Sequence, residues 1–196
     1  MLALAIAYPL LVHASILWPE PWLRWSALAV LCALPLYASL KAGRAWAWAL
    51  LLTALAACGA LVAANSSQLL LYLPPVLIPL ALLMPFARSL RPGEEPLITR
   101  MARIARGTLP PDLAPYTRHL TILWVVVFAL MICSAVLLTL FASLHVWSVA
   151  TNFVHYFVIG ALIVGEYLYR RWRFRHLPHP GFLAYLRLIV PRTRTP

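Results

Sequence analysis

Apolar runs long enough to cross a bilayer occupy most of this chain and limit its fold more than any other feature. They lie at about 2–18, 22–40, 46–64, 69–86, 120–141 and 146–169. About 20 residues of α-helix cross the hydrocarbon core of a bilayer, where every backbone polar group must be satisfied within the protein. The sequence therefore predicts an all-α fold, a polytopic membrane helical bundle with about six transmembrane helices.

The predicted organisation is a single transmembrane domain over residues 1–175, with a basic loop at 87–119 inside it and a basic tail at 176–196 after it. A hydrophobic content of 63% excludes a soluble domain of ordinary composition. The first run has neither a basic start nor a small-residue cleavage site. We therefore expect it to be retained as a helix rather than removed as a signal peptide.

The positive charge of the chain indicates its orientation. Of 16 Lys and Arg residues, two lie in the turn at 41–44, six in the long loop and seven from 170 onward, which leaves Arg24 alone on the other side. Basic loops are held in the cytoplasm. The distribution predicts six spans with both termini cytoplasmic, and it explains the net charge of +11 without nucleic acid.

The long loop contains a predicted helix of its own. Glu94, Glu95 and Pro96 are typical of a helix start, and Gly107 is typical of a helix end. Between them Leu97, Met101 and Ile104 share one helical face, with arginines on the other side. Such a basic amphipathic helix can lie among anionic lipid headgroups, or it can pack as a hairpin helix on the end of the bundle.

The arginines of the loop and of the early tail are the predicted contacts for anionic lipid headgroups or for an acidic partner. These residues are Arg88, Arg91, Arg100, Arg103, Arg106, Arg118, Arg171, Arg173 and Arg175. Further along the tail, the apolar run at 182–190 is too short to span, so it either lies on the membrane surface or packs against the bundle.

The last span carries the best candidates for chemistry. Asn152, His155, Glu166 and Arg170 fall on one helical face, which we expect to turn toward the bundle interior. Ionisable groups inside a membrane are costly, so Glu166 and His155 are candidate catalytic residues. The alternatives are an ion pair between Glu166 and Arg170, one turn apart, and a neutral, hydrogen-bonded His155.

The remaining polar and sulfur-containing residues predict no metal and no cofactor. Cys32, Cys58 and Cys133 lie in separate apolar runs and are expected to be small buried hydrophobes. His13 is expected to be a satisfied core residue. The pair His176-x-x-His179 lacks a third nearby ligand, so it is a weak metal signal.

The fourth run is expected to be the least regular span. It carries prolines at positions 74, 75, 79 and 85, and a straight helix does not accommodate so many. Irregular backbone at membrane depth must be covered by protein or line a wet cavity.

Several segments of the chain resemble a group of uncharacterised bacterial inner-membrane proteins. The segments are YLPPVLI at 72–78, FARSL at 86–90, PGEEPLITR at 92–100, YTR at 116–118, GEYLYRR at 165–171 and HLPH at 176–179. Genes for this group typically lie among those for aryl-polyene (xanthomonadin-type) pigments. The resemblance implies a role in assembling a polyene on carrier protein and delivering it to lipid, and it carries over no catalytic residue.

Three functions remain open at this point. The first is an accessory or scaffold protein that docks soluble biosynthetic enzymes or acidic carrier proteins through its arginine-rich face. The second is a transporter or flippase component for an apolar, lipid-like product. The third is a membrane-embedded enzyme acting on an acyl or prenyl-phosphate substrate, in which arginines would grip the phosphate.

Overall fold

The computed structural model describes residues 2–64, 68–107 and 110–175, and every regular element in these ranges is helical. The elements are α1 (Leu2–Leu17), α2 (Pro21–Lys41), α3 (Ala45–Ala63), α4 (Gln68–Tyr72), α5 (Pro74–Arg88), α6 (Leu97–Arg106), α7 (Leu113–Phe141), α8 (Leu144–Val149), a π-helical turn (Ala150–Val154) and α9 (His155–Arg173). The predicted all-α class is confirmed for this part of the chain.

Five segments of the described chain are long and apolar enough to cross a membrane. They are Pro21–Lys41, Ala45–Ala63, Leu70–Arg88, Leu113–Phe141 and Leu144–Arg173. In each, at most 28% of the most apolar window is buried inside the protein. Most of each window is therefore not buried inside the protein, which is typical of helices whose solvent is lipid. The first predicted span corresponds to α1, whose 16 residues extend about 24 Å and fall short of a ~30 Å hydrocarbon core.

The first three helices pack in sequence order, so that α2 lies against both α1 and α3. Val12, Leu28 and Cys58 from these helices join Trp147 of α8 in one buried cluster. The turn from α2 to α3 passes through Gly43, whose φ of 68° is a conformation that side chains with a β-carbon rarely adopt.

The proline-rich fourth run is broken into two helices. α4 ends at Tyr72, and Pro74 starts α5 in a position where its missing N–H costs no hydrogen bond. Pro79 and Pro85 lie inside α5, and Pro79 is buried. α5 packs closely along α7, where Phe86 meets the ring of Phe128 edge-on at 5.5 Å.

The predicted long loop is mostly helical, because α7 starts at Leu113 rather than at residue 120. The first residues of α7 are too polar for the bilayer core. They are nevertheless helical, because α6 covers one side of them. Thr117 of α7 is buried and lies 2.8 Å, oxygen to oxygen, from the hydroxyl of Thr99 in α6. The hydroxyl of Ser89 accepts a 2.9 Å hydrogen bond from the backbone N–H of Leu97, which fixes the start of α6 to the end of α5.

The last predicted span is longer and less regular than expected. Ser143 caps α8 by accepting a hydrogen bond from the N–H of Val146 at 3.4 Å, so the turn after α7 is only two residues long. The π-helical turn Ala150–Val154 then connects α8 to α9. Single π turns inside α-helices frequently occur at functional sites.

Candidate functional site

The four residues of the predicted polar face lie in two separate places. Asn152 and His155 are buried deep in the bundle, at the π turn. Glu166 and Arg170 lie near the end of α9, close to the start of α7. His155 and Glu166 both contact α7, at Ser134 and Tyr116, respectively.

The site around Asn152 and His155 is a small cavity, here called the inner cavity. Its volume is about 60 Å³, which is room for a few water molecules. It lies between α1, α5, α7 and the start of the last span, and its walls are Tyr8, Pro74, Pro75, Ile78, Pro79, Met131, Thr151, Asn152, His155, Tyr156 and Ile159. The broken proline-rich span therefore borders a small, mostly apolar cavity that also has polar side chains in its wall.

Hydrogen bonds hold the polar side chains of the inner cavity in place. The hydroxyl of Ser134 donates to the carbonyl oxygen of Met131 at 3.0 Å, so its oxygen accepts from Nε2 of His155 at 2.9 Å. Asn152 donates from Nδ2 to the hydroxyl of Ser148 at 3.2 Å. Ser148 in turn lies 3.1 Å from Nδ1 of His13, which connects the π turn to α1.

The hydroxyl of Tyr8 is buried beside the inner cavity and has no hydrogen-bond partner in the described part of the chain. A small polar molecule in the cavity would satisfy it. Sequence reasoning did not single out Tyr8, Ser134 or Ser148, because they come from helices far apart in the sequence and none carries a motif. His13 was expected to be a satisfied core residue, and its bond to Ser148 agrees with that interpretation.

The second place surrounds Glu166, whose side chain is only 7% exposed. Its Oε1 accepts a 3.1 Å hydrogen bond from the hydroxyl of Tyr116 and lies 3.6 Å from Nε of Arg170. Tyr116 also stacks on Tyr169 with ring centroids 5.9 Å apart and meets Phe174 edge-on at 5.1 Å. The ion pair considered as an alternative for Glu166 is thus present, with a tyrosine from another helix added to it.

Beside Glu166 a groove of about 410 Å³, here called the α7–α9 groove, runs between the two helices. α9 contacts α7 mainly through long side chains, whereas α5 packs closely against α7, and this difference leaves the groove open. Its walls are Tyr116, His119, Leu120, Leu123, Ala161, Leu162, Gly165, Glu166 and Tyr169.

The predicted anion-binding arginines collect at the same end of the bundle as the α7–α9 groove. Those with exposed side chains in the described chain are Arg88, Arg91, Arg100, Arg103, Arg118, Arg171, Arg173 and Arg175. Arg103 is held by Glu95 through two hydrogen bonds of 3.0 and 2.6 Å. The hydrogen bonds from Arg103 lower the pKa of Glu95 below its ordinary value. The backbone of Arg106 ends α6, and its side chain lies outside the described part.

α6 turns its apolar face away from the bundle. Thr99, on its opposite side, is buried against α7, while Met101 is 43% exposed and Ile104 is 74% exposed. Packing on the bundle, one of the two alternatives for this helix, is thus present through Thr99, and Met101 and Ile104 stay exposed among arginines.

The cysteines differ from expectation. The sulfur atoms of Cys32 in α2 and Cys58 in α3 lie 4.0 Å apart, although 26 residues separate them in the sequence. Cys133 is exposed, so the prediction of a buried hydrophobe is wrong for it.

Within the described ranges no group of three His, Cys, Asp or Glu side chains could hold a metal ion. His176, His179 and the run at 182–190 lie outside those ranges.

Five apolar segments of spanning length in the described part of the chain, with exposed leucines, tryptophans and phenylalanines, indicate a helical membrane protein. No protein-family model, curated protein or solved structure matches it.

Proposed function

We propose that this protein is a membrane-embedded accessory or scaffold protein that docks acidic soluble partners at its arginine-rich end. One observation supports this proposal above the others. The contacts of Tyr116 with Glu166 and Phe174 bring the start of α7 against the end of α9, so exposed arginines from distant parts of the sequence lie at one end of the bundle, here called the cationic face. Clustered positive charge attracts acidic proteins and anionic lipid over several ångströms.

The cationic face contains few acidic side chains to neutralise it. Glu94 and Asp112 are exposed there, whereas Glu95 and Glu166 are each engaged with an arginine. The exposed ridge of Met101 and Ile104 lies beside the arginines and adds an apolar contact. The arginines and this ridge together form a surface with both positive charge and apolar area, which can bind either lipid headgroups or an acidic protein.

The proposed topology is six spans in a bacterial inner membrane, with both termini and the cationic face in the cytoplasm. α1 would be the sixth span. His13, near its end, lies 5.4 Å from the ring of His145 at the start of α8, so α1 ends on the side of the bundle where α7 ends. A short helix can cross if the bilayer thins locally around it.

The proposed pathway is the assembly of an aryl-polyene-type lipid or pigment, as the sequence resemblance implies. Intermediates of such a synthesis are carried on acyl carrier proteins, which are acidic. The cationic face would then hold the carrier protein or its enzymes at the membrane, where an apolar product has to be delivered.

The test compares three forms of the protein in phosphatidylcholine nanodiscs, with acyl carrier protein as the probe. The triple variant Arg91→Gln, Arg100→Gln, Arg118→Gln removes three charges, and the matched triple change to lysine keeps them. We expect the glutamine form to lose binding, the lysine form to retain it, and the bound fraction of the wild type to fall as salt screens the charges. Arg24→Gln, outside the cationic face, should change nothing.

Binding that is equal in the glutamine and lysine forms, or that persists unchanged in high salt, would contradict docking by charge. A deletion strain that makes unchanged polyene would contradict the pathway alone. The transporter and enzyme alternatives have less support, since the inner cavity is small compared with a lipid-like product and Glu166 is engaged by Tyr116 and Arg170.

A further inference from the structure

The α7–α9 groove combines a buried carboxylate, tyrosines and a histidine at one end with aliphatic walls at the other. We propose that it is a binding site for a single-chain amphiphile, a long-chain fatty acid whose carboxylate lies at the polar end. The proposal does not depend on the cationic face docking a protein partner.

The two ends of the groove differ in polarity along the helix axes. Tyr116 and His119 lie at the start of α7, next to Glu166 and Tyr169 near the end of α9. Leu120 and Leu123 follow one turn deeper, opposite Ala161 and Leu162. The polar end therefore belongs at the headgroup level and the apolar end in the hydrocarbon, as an amphiphile requires.

The dimensions of the groove fit one chain. From Ala161 to Tyr169 it extends about 12 Å along α9 at the helical rise, which is close to the ~15 Å depth of one leaflet's hydrocarbon. Gly165 forms part of its floor, and a β-carbon added there would meet no atom within 4 Å. The small residues Ala161 and Gly165 thus leave room that a neighbouring helix does not fill.

The charges near the polar end favour an anionic head. Arg170, Arg171 and Arg173 occupy the last turn of α9, against the single carboxylate of Glu166, which already lies 3.6 Å from Arg170. Tyr116 holds this carboxylate from α7, so Glu166 is kept in place with its charge compensated. A fatty-acid carboxylate would meet a net positive surface there.

Two glycines of α9 provide a matched pair of variants. A β-carbon added at Gly160 or at Gly165 would meet no atom within 4 Å, so both backbone positions have open space for the start of a side chain, but only Gly165 lines the groove. The probe is palmitic acid with a photoactivatable diazirine, in nanodiscs of unlabelled phosphatidylcholine. We expect labelling of groove residues in the wild type and in Gly160→Leu, and a loss of about tenfold in Gly165→Leu.

A second filling variant and two further probes make the test decisive. Leu123→Trp fills the same groove from α7 and should also reduce labelling. The methyl ester of the probe should label less than the acid, since it lacks the negative charge. Equal labelling by diazirine phosphatidylcholine would show only the ordinary lipid annulus. That result would overturn the proposal, as would equal losses in the two glycine variants or labels mapped outside the groove.

Discussion

The hydroxyl oxygens of Thr99 in α6 and Thr117 in α7 lie 2.8 Å apart, and both side chains are buried. Thr117 donates its own proton to backbone carbonyl oxygens of its helix, the nearer being that of Leu113 at 2.9 Å, so Thr99 is the donor between the two hydroxyls. This bond sets which side of α6 meets the bundle and therefore which side is left exposed.

Thr99→Val should loosen α6 while the rest of the bundle stays intact. Valine keeps the shape of the side chain but removes a buried hydrogen bond, at a cost of about 1 kcal/mol. Hydrogen exchange should become several-fold faster in Leu97–Arg106 alone. The control is Thr53→Val in α3, where the hydroxyl bonds only to Ala49 of its own helix. Unchanged exchange in α6 would show that the threonine pair does not anchor it.

Acid should release the Glu95–Arg103 pair. Because the hydrogen bonds from Arg103 lower the pKa of Glu95 in the folded protein, the pair's stabilising contribution is complete above the ordinary value of 4.5 and is lost as the pH falls through the lowered pKa. Carbon-13 titration of the Glu95 carboxyl would give this pKa, which Arg103→Gln should raise and Arg118→Gln should leave in place. Identical titration curves for all three proteins would contradict the pairing.

Cys32 and Cys58 should form a disulfide when a membrane-permeant oxidant is added. Their sulfur atoms are 4.0 Å apart, and rotation of the side chains can bring them to bonding distance of about 2.05 Å. Mass spectrometry after copper-phenanthroline treatment should find these two linked within one chain, with Cys133 still free to react with maleimide. A link between Cys133 and either of them would contradict the packing of α2 against α3.

Ser134→Ala should destabilise the bundle by about 1 kcal/mol, the scale of a hydrogen bond between membrane helices. It removes the partner of buried His155 at the inner cavity. Ser26→Ala is the control, since that hydroxyl bonds to Trp22 in its own helix. Thermal unfolding in detergent measures both, and equal midpoints would mean that water replaces the serine at no cost.

Reporter fusions test the six-span topology. Fusions after residues 43, 105 and 185 should report a cytoplasmic location, and fusions after residues 66 and 144 a periplasmic one. A cytoplasmic signal after 144 or a periplasmic one after 105 would reverse the orientation of the cationic face and remove the basis for docking.

Hydropathy and charge predicted the helical class and the basic segments. Both properties are summed over many residues, so they do not depend on knowing which side chains contact each other. The observed ends of the spans differ from the predicted ones, because a helix continues past its apolar residues wherever another element covers its polar side. Thr117 is an example, since it is buried by α6 although it lies in a polar stretch.

The candidate site could be predicted only in part. Helical periodicity placed Asn152, His155 and Glu166 on one face of the last span, but it gives no partners on other helices. Tyr8, Tyr116 and Ser134 come from other helices, and only the packing of those helices brings them to the cavity and the groove. The contact between Cys32 and Cys58 was missed for the same reason.

The π-helical turn Ala150–Val154 has a consequence for the whole last span. A π turn takes up one residue more than an α turn, and each residue of an α-helix contributes a rotation of about 100°. Deleting one residue there would restore a uniform α-helix and leave Glu166 directed toward Tyr116, because the wider turn had absorbed that residue, whereas deleting a second would rotate Glu166 by about 100° relative to Trp147. The π turn is therefore the place where the last span can lose one residue without turning α9 away from α7, and a shortened version of the segment can lose a residue there but not a second.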